Sequence, residues 1–173
     1  MKKFFFFAIA VFVTGTAAFS QTQFEVIRGK NGEKIMKGII SRELLETDTA
    51  FGWYAENQKG YAPDKAALEA LQKNADSLQL LVFMGTWCED SHFIIPRFFS
   101  LLSQAGFPGN HVTLVGVDRD KKTGGHLAEA LNVTNVPTII VLKKGKEIGR
   151  VVEYGSDGLF DKALGEVINK NMQ

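Results

Sequence analysis

The chain has a single cysteine, Cys88, in the run Thr86-Trp87-Cys88-Glu89-Asp90-Ser91-His92. A thiolate is the nucleophile of sulfur chemistry, so the neighbours that favour or oppose it are the first to weigh. The run leaves an apolar stretch, Leu78–Met84, and enters a helical pattern. Cys88 is therefore expected at a strand end and at the N-terminus of a helix, where free amide donors and the helix dipole favour negative charge. Ser91, one turn on, is placed to donate its hydroxyl to the sulfur. His92, at i+4, falls on the same helix face and would favour the thiolate further if protonated. Glu89 and Asp90 act the other way, because like charge disfavours a neighbouring thiolate. Each effect is about 0.3–1 kcal/mol at an exposed site, and the sequence does not order them.

Cys88 and His92 could in principle share a metal ion from i and i+4. Asp90 points off that face, however, and His111 and His126 lie elsewhere in the chain. Neither a metal nor another cofactor is expected.

The elements that must hold this run follow from apolar patterning. Phe24 and Val26 alternate with Glu25 and Arg28, Asn31-Gly32 signals a turn, and Glu33–Ile40 reads as a returning strand. Ser41 can cap a short helix carrying Leu44 and Leu45. A second helical piece holds Phe51, Trp53 and Tyr54, expected to cover the edge of the core rather than to line a groove. Pro63 suits a first helical position, and Ala67, Leu68, Leu71 and Ala75 give a helix over 63–76. Leu78–Met84 is apolar almost throughout, as a strand covered on both faces would be. The helix from His92 to Gln104 carries Phe93, Ile94, Phe98, Leu101 and Leu102, with Pro96 inside it. A strand over Val112–Val117 and a helix over 124–131 follow. Pro137-Thr138 opens a strand over Ile139–Leu142, Lys144-Gly145 turns into Glu147–Val152, and a helix covers about 157–170.

Length and composition bound the rest. The 173 residues, 45% hydrophobic and 23% charged, fit one globular domain. A net charge of +1 gives no electrostatic reason to propose nucleic acid. Lys2 and Lys3, the apolar run Phe4–Val13 and Ala18-Phe19-Ser20 have the order of a cleavable signal peptide over residues 1–20, cut before Gln21. That run is shorter than the roughly 20 apolar residues needed to span a bilayer, so no membrane anchor is expected after cleavage. The location expected is periplasmic or secreted, an oxidising setting. There a lone cysteine is inert, or bonded to another chain such as a second copy, or reactive.

Several features together resemble the thioredoxin-like superfamily: Trp87-Cys88-x-x-Ser91, Pro96 in the next helix, Asn135-Val136-Pro137-Thr138, Tyr154-Gly155, and the helix–strand order from residue 63. The wording Gly85-Thr86-Trp87-Cys88-x-Asp90-Ser91 is similar to exported bacterial members that vary the second cysteine. The resemblance implies an α/β thioredoxin fold, a central mixed sheet flanked by helices, over 63–173, with 21–62 as an N-terminal extension of strand or hairpin and short helices. It implies a cis Pro137 facing Cys88 and a Val136 backbone able to pair with an extended substrate, so Trp87, Val136 and Pro137 are the expected substrate-binding residues. It also places Val82 where dithiol relatives bury an acid.

With Ser91 in place of the second thiol, the chemistry implied is monothiol exchange, with Cys88 attacking and Ser91 and His92 assisting. The partners implied are protein or small-molecule thiols and disulfides. The alternative is a redox-silent binding or chaperone-like module that keeps the groove of Trp87, Val136 and Pro137.

Overall fold

The computed structural model describes residues 23–172. The signal-peptide expectation for residues 1–20 lies outside them.

Six strands form one sheet in the order β1-β2-β4-β3-β5-β6. They are β1 (Phe24–Arg28), β2 (Lys34–Ile40), β3 (Leu78–Met84), β4 (Val112–Gly116), β5 (Thr138–Lys143) and β6 (Lys146–Val152). β3 and β4 run parallel, joined by the long helix α4 (Glu89–Gln104). Every other neighbouring pair is antiparallel. The sheet is mixed, as expected, with β3 between β4 and β5 and covered on both faces.

Alternation along each strand supplies both faces. Leu80, Val82 and Met84 of β3, Leu114 of β4, and Ile139 and Val141 of β5 enter the larger core. That core includes buried side chains of α1 (Arg42–Thr47), α2 (Trp53–Gln58), α3 (Lys65–Asn74), α4 and α6 (Phe160–Asn171). Phe83, Val115 and Ile140 face the other way, into a smaller cluster with Ala128 of α5 (Leu127–Ala130), Val117, Val133 and Val136. Trp87 and Cys88 pack at the edge of that smaller cluster.

Residues 24–62 build into the same sheet and core. β2 pairs with β4, with Gly38 opposite Gly116, while Phe51 and Tyr54 are buried among the α4 side chains of the larger core. Ser41 caps α1 as expected, its Oγ accepting from Leu44 N–H at 3.2 Å.

Two helices differ from expectation for local reasons. α3 begins at Lys65 rather than Pro63, because the Asp64 side chain takes the cap and accepts from Ala67 N–H at 2.9 Å. The helix expected over 124–131 is a 3₁₀ turn at Gly124–His126 followed by α5, since Gly125 and His126 adopt left-handed backbone, φ 65° and 55°.

Where α3 and α6 meet, glycine is required by space: a Cβ on Gly165 would lie 2.9 Å from Ala67 N.

Candidate active site

β3 delivers the chain to the site and α4 carries it away. Cys88 is the N-cap of α4, with extended backbone, and its carbonyl accepts the first helical bond from His92 N–H at 2.9 Å. The half-buried thiol donates to Val136 O at 3.2 Å. The Val136–Pro137 peptide is cis, as the resemblance implied. Glu153 N–H, in the turn just after β6, donates to Pro137 O at 2.7 Å. Trp87, Cys88, Lys121, Asn135, Val136 and Glu153 line a groove of ≈180 Å³. Cys88, Trp87, Val136 and Pro137 are thus brought together.

Trp87 is fixed on several sides. Its Nε1–H donates to Val117 O at 2.9 Å, and Arg119 and Lys121 lie 5.1 and 5.8 Å from the ring centre. Gly85 gives the indole its place: a Cβ there would lie 2.7 Å from the ring.

Ser91 and His92 are committed elsewhere. Ser91 is fully buried, and its Oγ accepts from Gly85 N–H at 3.2 Å, closing the strand-to-helix turn; no hydrogen bond joins it to the sulfur. His92 Nε2 lies 2.8 Å from Thr86 O. Since a carbonyl only accepts, Nε2 carries the proton. The imidazole stacks on Trp53 of α2 at 4.2 Å between ring centres, 14° from parallel. Burial pushes its pKa below the ordinary histidine value, a shift that the Thr86 carbonyl and the Glu89 charge only partly oppose. That shift favours the neutral imidazole and so works against the assistance that a protonated His92 would give. Its partner, like that of Ser91, is backbone.

Val82, where the resemblance places the buried acid of dithiol relatives, is wholly buried and pairs with Ile139 across the sheet, so no carboxylate stands there for proton transfer. No group of three or more His, Cys, Asp or Glu side chains suited to a metal occurs among the described residues. The Cys88 and His92 side chains bond to different carbonyls.

Thr86 is a site residue whose role local pattern did not show. Its buried Oγ1 accepts from Met36 N–H at 3.1 Å and donates to Lys34 O at 3.0 Å. That pair ties the loop to β2, fifty residues earlier. Trp53 packs half-buried against the larger core, as expected, and also faces a cavity. Phe51, Trp87 and His92 line the same cavity, of ≈550 Å³, rimmed by the ion pairs Lys34–Asp48 and Arg119–Glu33.

A family model described as Thioredoxin matches residues 63–164, more than half of the chain. The chain belongs to the thioredoxin family. The thioredoxin of Chlamydia pneumoniae is 33% identical over 100 residues, covering 56% of this chain and 85% of its own length. TPR repeat-containing thioredoxin TDX of Arabidopsis thaliana is 32% identical over 90 residues, 52% of this chain, and the match spans 22% of that longer protein. A solved structure, a protein of unknown function from Pseudomonas aeruginosa, aligns with TM-score 0.51 at 18% identity, covering 73% of this chain and 87% of that one. At that identity the likeness is one of fold. Family membership points to thiol–disulfide oxidoreductase chemistry on protein thiols and disulfides.

Proposed function

We propose that this chain is an exported thiol–disulfide exchange protein that works through Cys88 alone. The observation that carries this reading is the Cys88 sulfur at the N-cap of α4, opening on the Val136 groove with no second cysteine in the chain.

Cys88 loses its proton to solvent, and the thiolate attacks one sulfur of a substrate disulfide. The Cys88–substrate disulfide forms, the substrate disulfide breaks, and its other sulfur leaves as a thiolate. A second thiolate, from the substrate or a small-molecule pool, then attacks the mixed disulfide and returns Cys88 as a thiolate. The number of disulfides is unchanged. Isomerisation, or transfer of a small-thiol adduct, is therefore open to the protein, whereas a self-contained reductase cycle is not. Val136 N–H takes part in no hydrogen bond among the described residues, which suits it to pair with an extended substrate beside Cys88.

The test is trapping from exported proteins after acid quench and alkylation, read on non-reducing gels. Mixed disulfides are expected with the native chain and none with Cys88→Ala, while Ser91→Cys is expected to add reductase turnover. A native chain that traps no partner, and whose Cys88 resists alkylation across the pH range, would leave the groove as a redox-silent binding surface. A Cys88-linked homodimer would appear on the same gels. Export is checked separately: the N-terminus of the mature protein is expected at Gln21.

A further inference from the structure

Tyr154 borders a cavity of ≈390 Å³ that the exchange chemistry does not use. Phe93 and Leu159 stand at its mouth, 40% and 56% exposed, and give it an apolar rim. Arg97 forms one wall. Its guanidinium lies 3.4 Å from the centre of the Phe93 ring, and its Nη1 donates to Phe93 O at 2.8 Å. Among the described residues Arg97 has no carboxylate partner, while Lys59, the other cation of the wall, is paired with Glu56. Asp161, the carboxylate at the floor, is already taken up by the Tyr61 hydroxyl and the Asp64 and Lys162 amides. Burial lowers the pKa of Arg97, as expected for a guanidinium that has lost water and gained no anion. Tyr154 links the cavity to the site. Its ring lies 5.8 Å from that of Phe93, and its phenol is pushed up by burial and then by the nearby Asp90 carboxylate and Cys88 sulfur.

We propose that this cavity is a specificity subsite for the polypeptide that Cys88 engages, taking an apolar side chain against Phe93 and Leu159 and a carboxylate on Arg97. The proposal rests on the exchange reading of Cys88 and names the substrate class. Spacing makes it concrete. Along α4, Phe93 lies about 7–8 Å and Arg97 about 13–14 Å beyond Cys88 at 1.5 Å per residue. An extended chain advances about 3.3 Å per residue, so the apolar residue falls two positions and the acid four positions from the substrate cysteine. Positions two apart share one face of a strand, so a single segment can present all three side chains together. Glu89 and Asp90, in the first turn, disfavour an acid placed directly beside the reactive cysteine and restrict it to the far end.

The test uses the full chain and synthetic peptides whose one cysteine is a mixed disulfide with thionitrobenzoate. Each peptide has Leu two positions and Glu four positions from the cysteine, on the C-terminal side in one and the N-terminal side in another. Matched peptides carry Lys for Glu. Attack by Cys88 releases thionitrobenzoate and forms the Cys88–peptide disulfide. The expected result is a Glu-over-Lys rate ratio of about five to ten in one orientation, shrinking with salt. The ratio should fall to about one in Arg97→Ala and invert in Arg97→Glu. Equal Glu and Lys rates in both orientations, or a ratio unmoved by Arg97→Glu, would overturn the subsite. Reaction of the native chain with a small aromatic disulfide checks the exchange reading separately. Binding of fluorescent Cys→Ser peptides, read by anisotropy, reports the same Glu-over-Lys ratio and decides the subsite even if Cys88 does not react.

Discussion

Trp87 separates two neighbourhoods built from one heptapeptide. On one side the Cys88 thiol opens on a small groove and touches the fold through one hydrogen bond, to Val136 O. On the other, Ser91 and His92 are locked to the backbone at Gly85 and Thr86, and Trp53 lies on the imidazole. Spacing that looked like three groups serving one sulfur is divided by the fold into one reactive group and two that shape the turn presenting it. Polar side chains near a nucleophile go first to buried backbone groups that would otherwise be unsatisfied. Gly85 N–H and Thr86 O, left between strand and helix, are such groups.

The sharpest way to break this contrast is to remove each group in turn. Cys88→Ala is expected to lower thiol exchange by at least about 10³-fold, because the nucleophile itself is lost. His92→Gln, which can still donate to Thr86 O, should alter the rate of mixed-disulfide formation by no more than about threefold, roughly 0.7 kcal/mol. A comparable loss from both, in stopped-flow exchange with a small disulfide, would return His92 to the chemistry. Ser91→Ala should instead act on stability, since it leaves Gly85 N–H buried without a partner. A cost of about 1–3 kcal/mol is expected in urea unfolding. If stability holds and exchange collapses, Ser91 serves the sulfur after all.

The contrast also marks what could be read in advance. The cis Val136–Pro137 peptide was implied by the resemblance to the thioredoxin-like superfamily, and β3, the helix after Cys88 and the order of elements follow from local patterns of apolar runs and turn residues. The destinations of the Ser91, His92 and Thr86 side chains do not. Thr86 meets β2 across fifty residues, and His92 meets Trp53 across thirty-nine, contacts that no local window contains. Trp53 was expected on the core edge because aromatic residues normally cover cores, and it packs there; its stack on His92 is what the local pattern did not show. The same limit applies to β1 and β2. Their hairpin pattern was visible, but the pairing of β2 with β4, which joins them to the sheet, is a register between distant segments.

Two smaller effects test the His92 side alone. Its folded pKa lies below the ordinary value of 6.5, chiefly through burial. The unfolded chain therefore binds a proton at His92 more readily than the folded one. The stability held by the neutral imidazole is complete above about pH 6.5 and is lost as pH falls through the lower folded value. Other groups titrate in the same range, so the informative quantity is the difference between the native chain and His92→Gln. Urea midpoints at several pH values should show that difference narrowing on acidification, and a constant difference would mean that the imidazole titrates as freely as in the unfolded chain. The stack itself is weaker. A double-mutant cycle of Trp53→Leu and His92→Gln should give a coupling of about 0.5–1 kcal/mol, the lower part of the range for aromatic pairs because both rings are only half-buried. Coupling near zero would mean that Trp53 covers His92 without holding it, leaving the Thr86 carbonyl to orient the imidazole. Coupling within this range would show that the α2 aromatic, which lies outside the matched family stretch, helps to set the turn on which Cys88 stands.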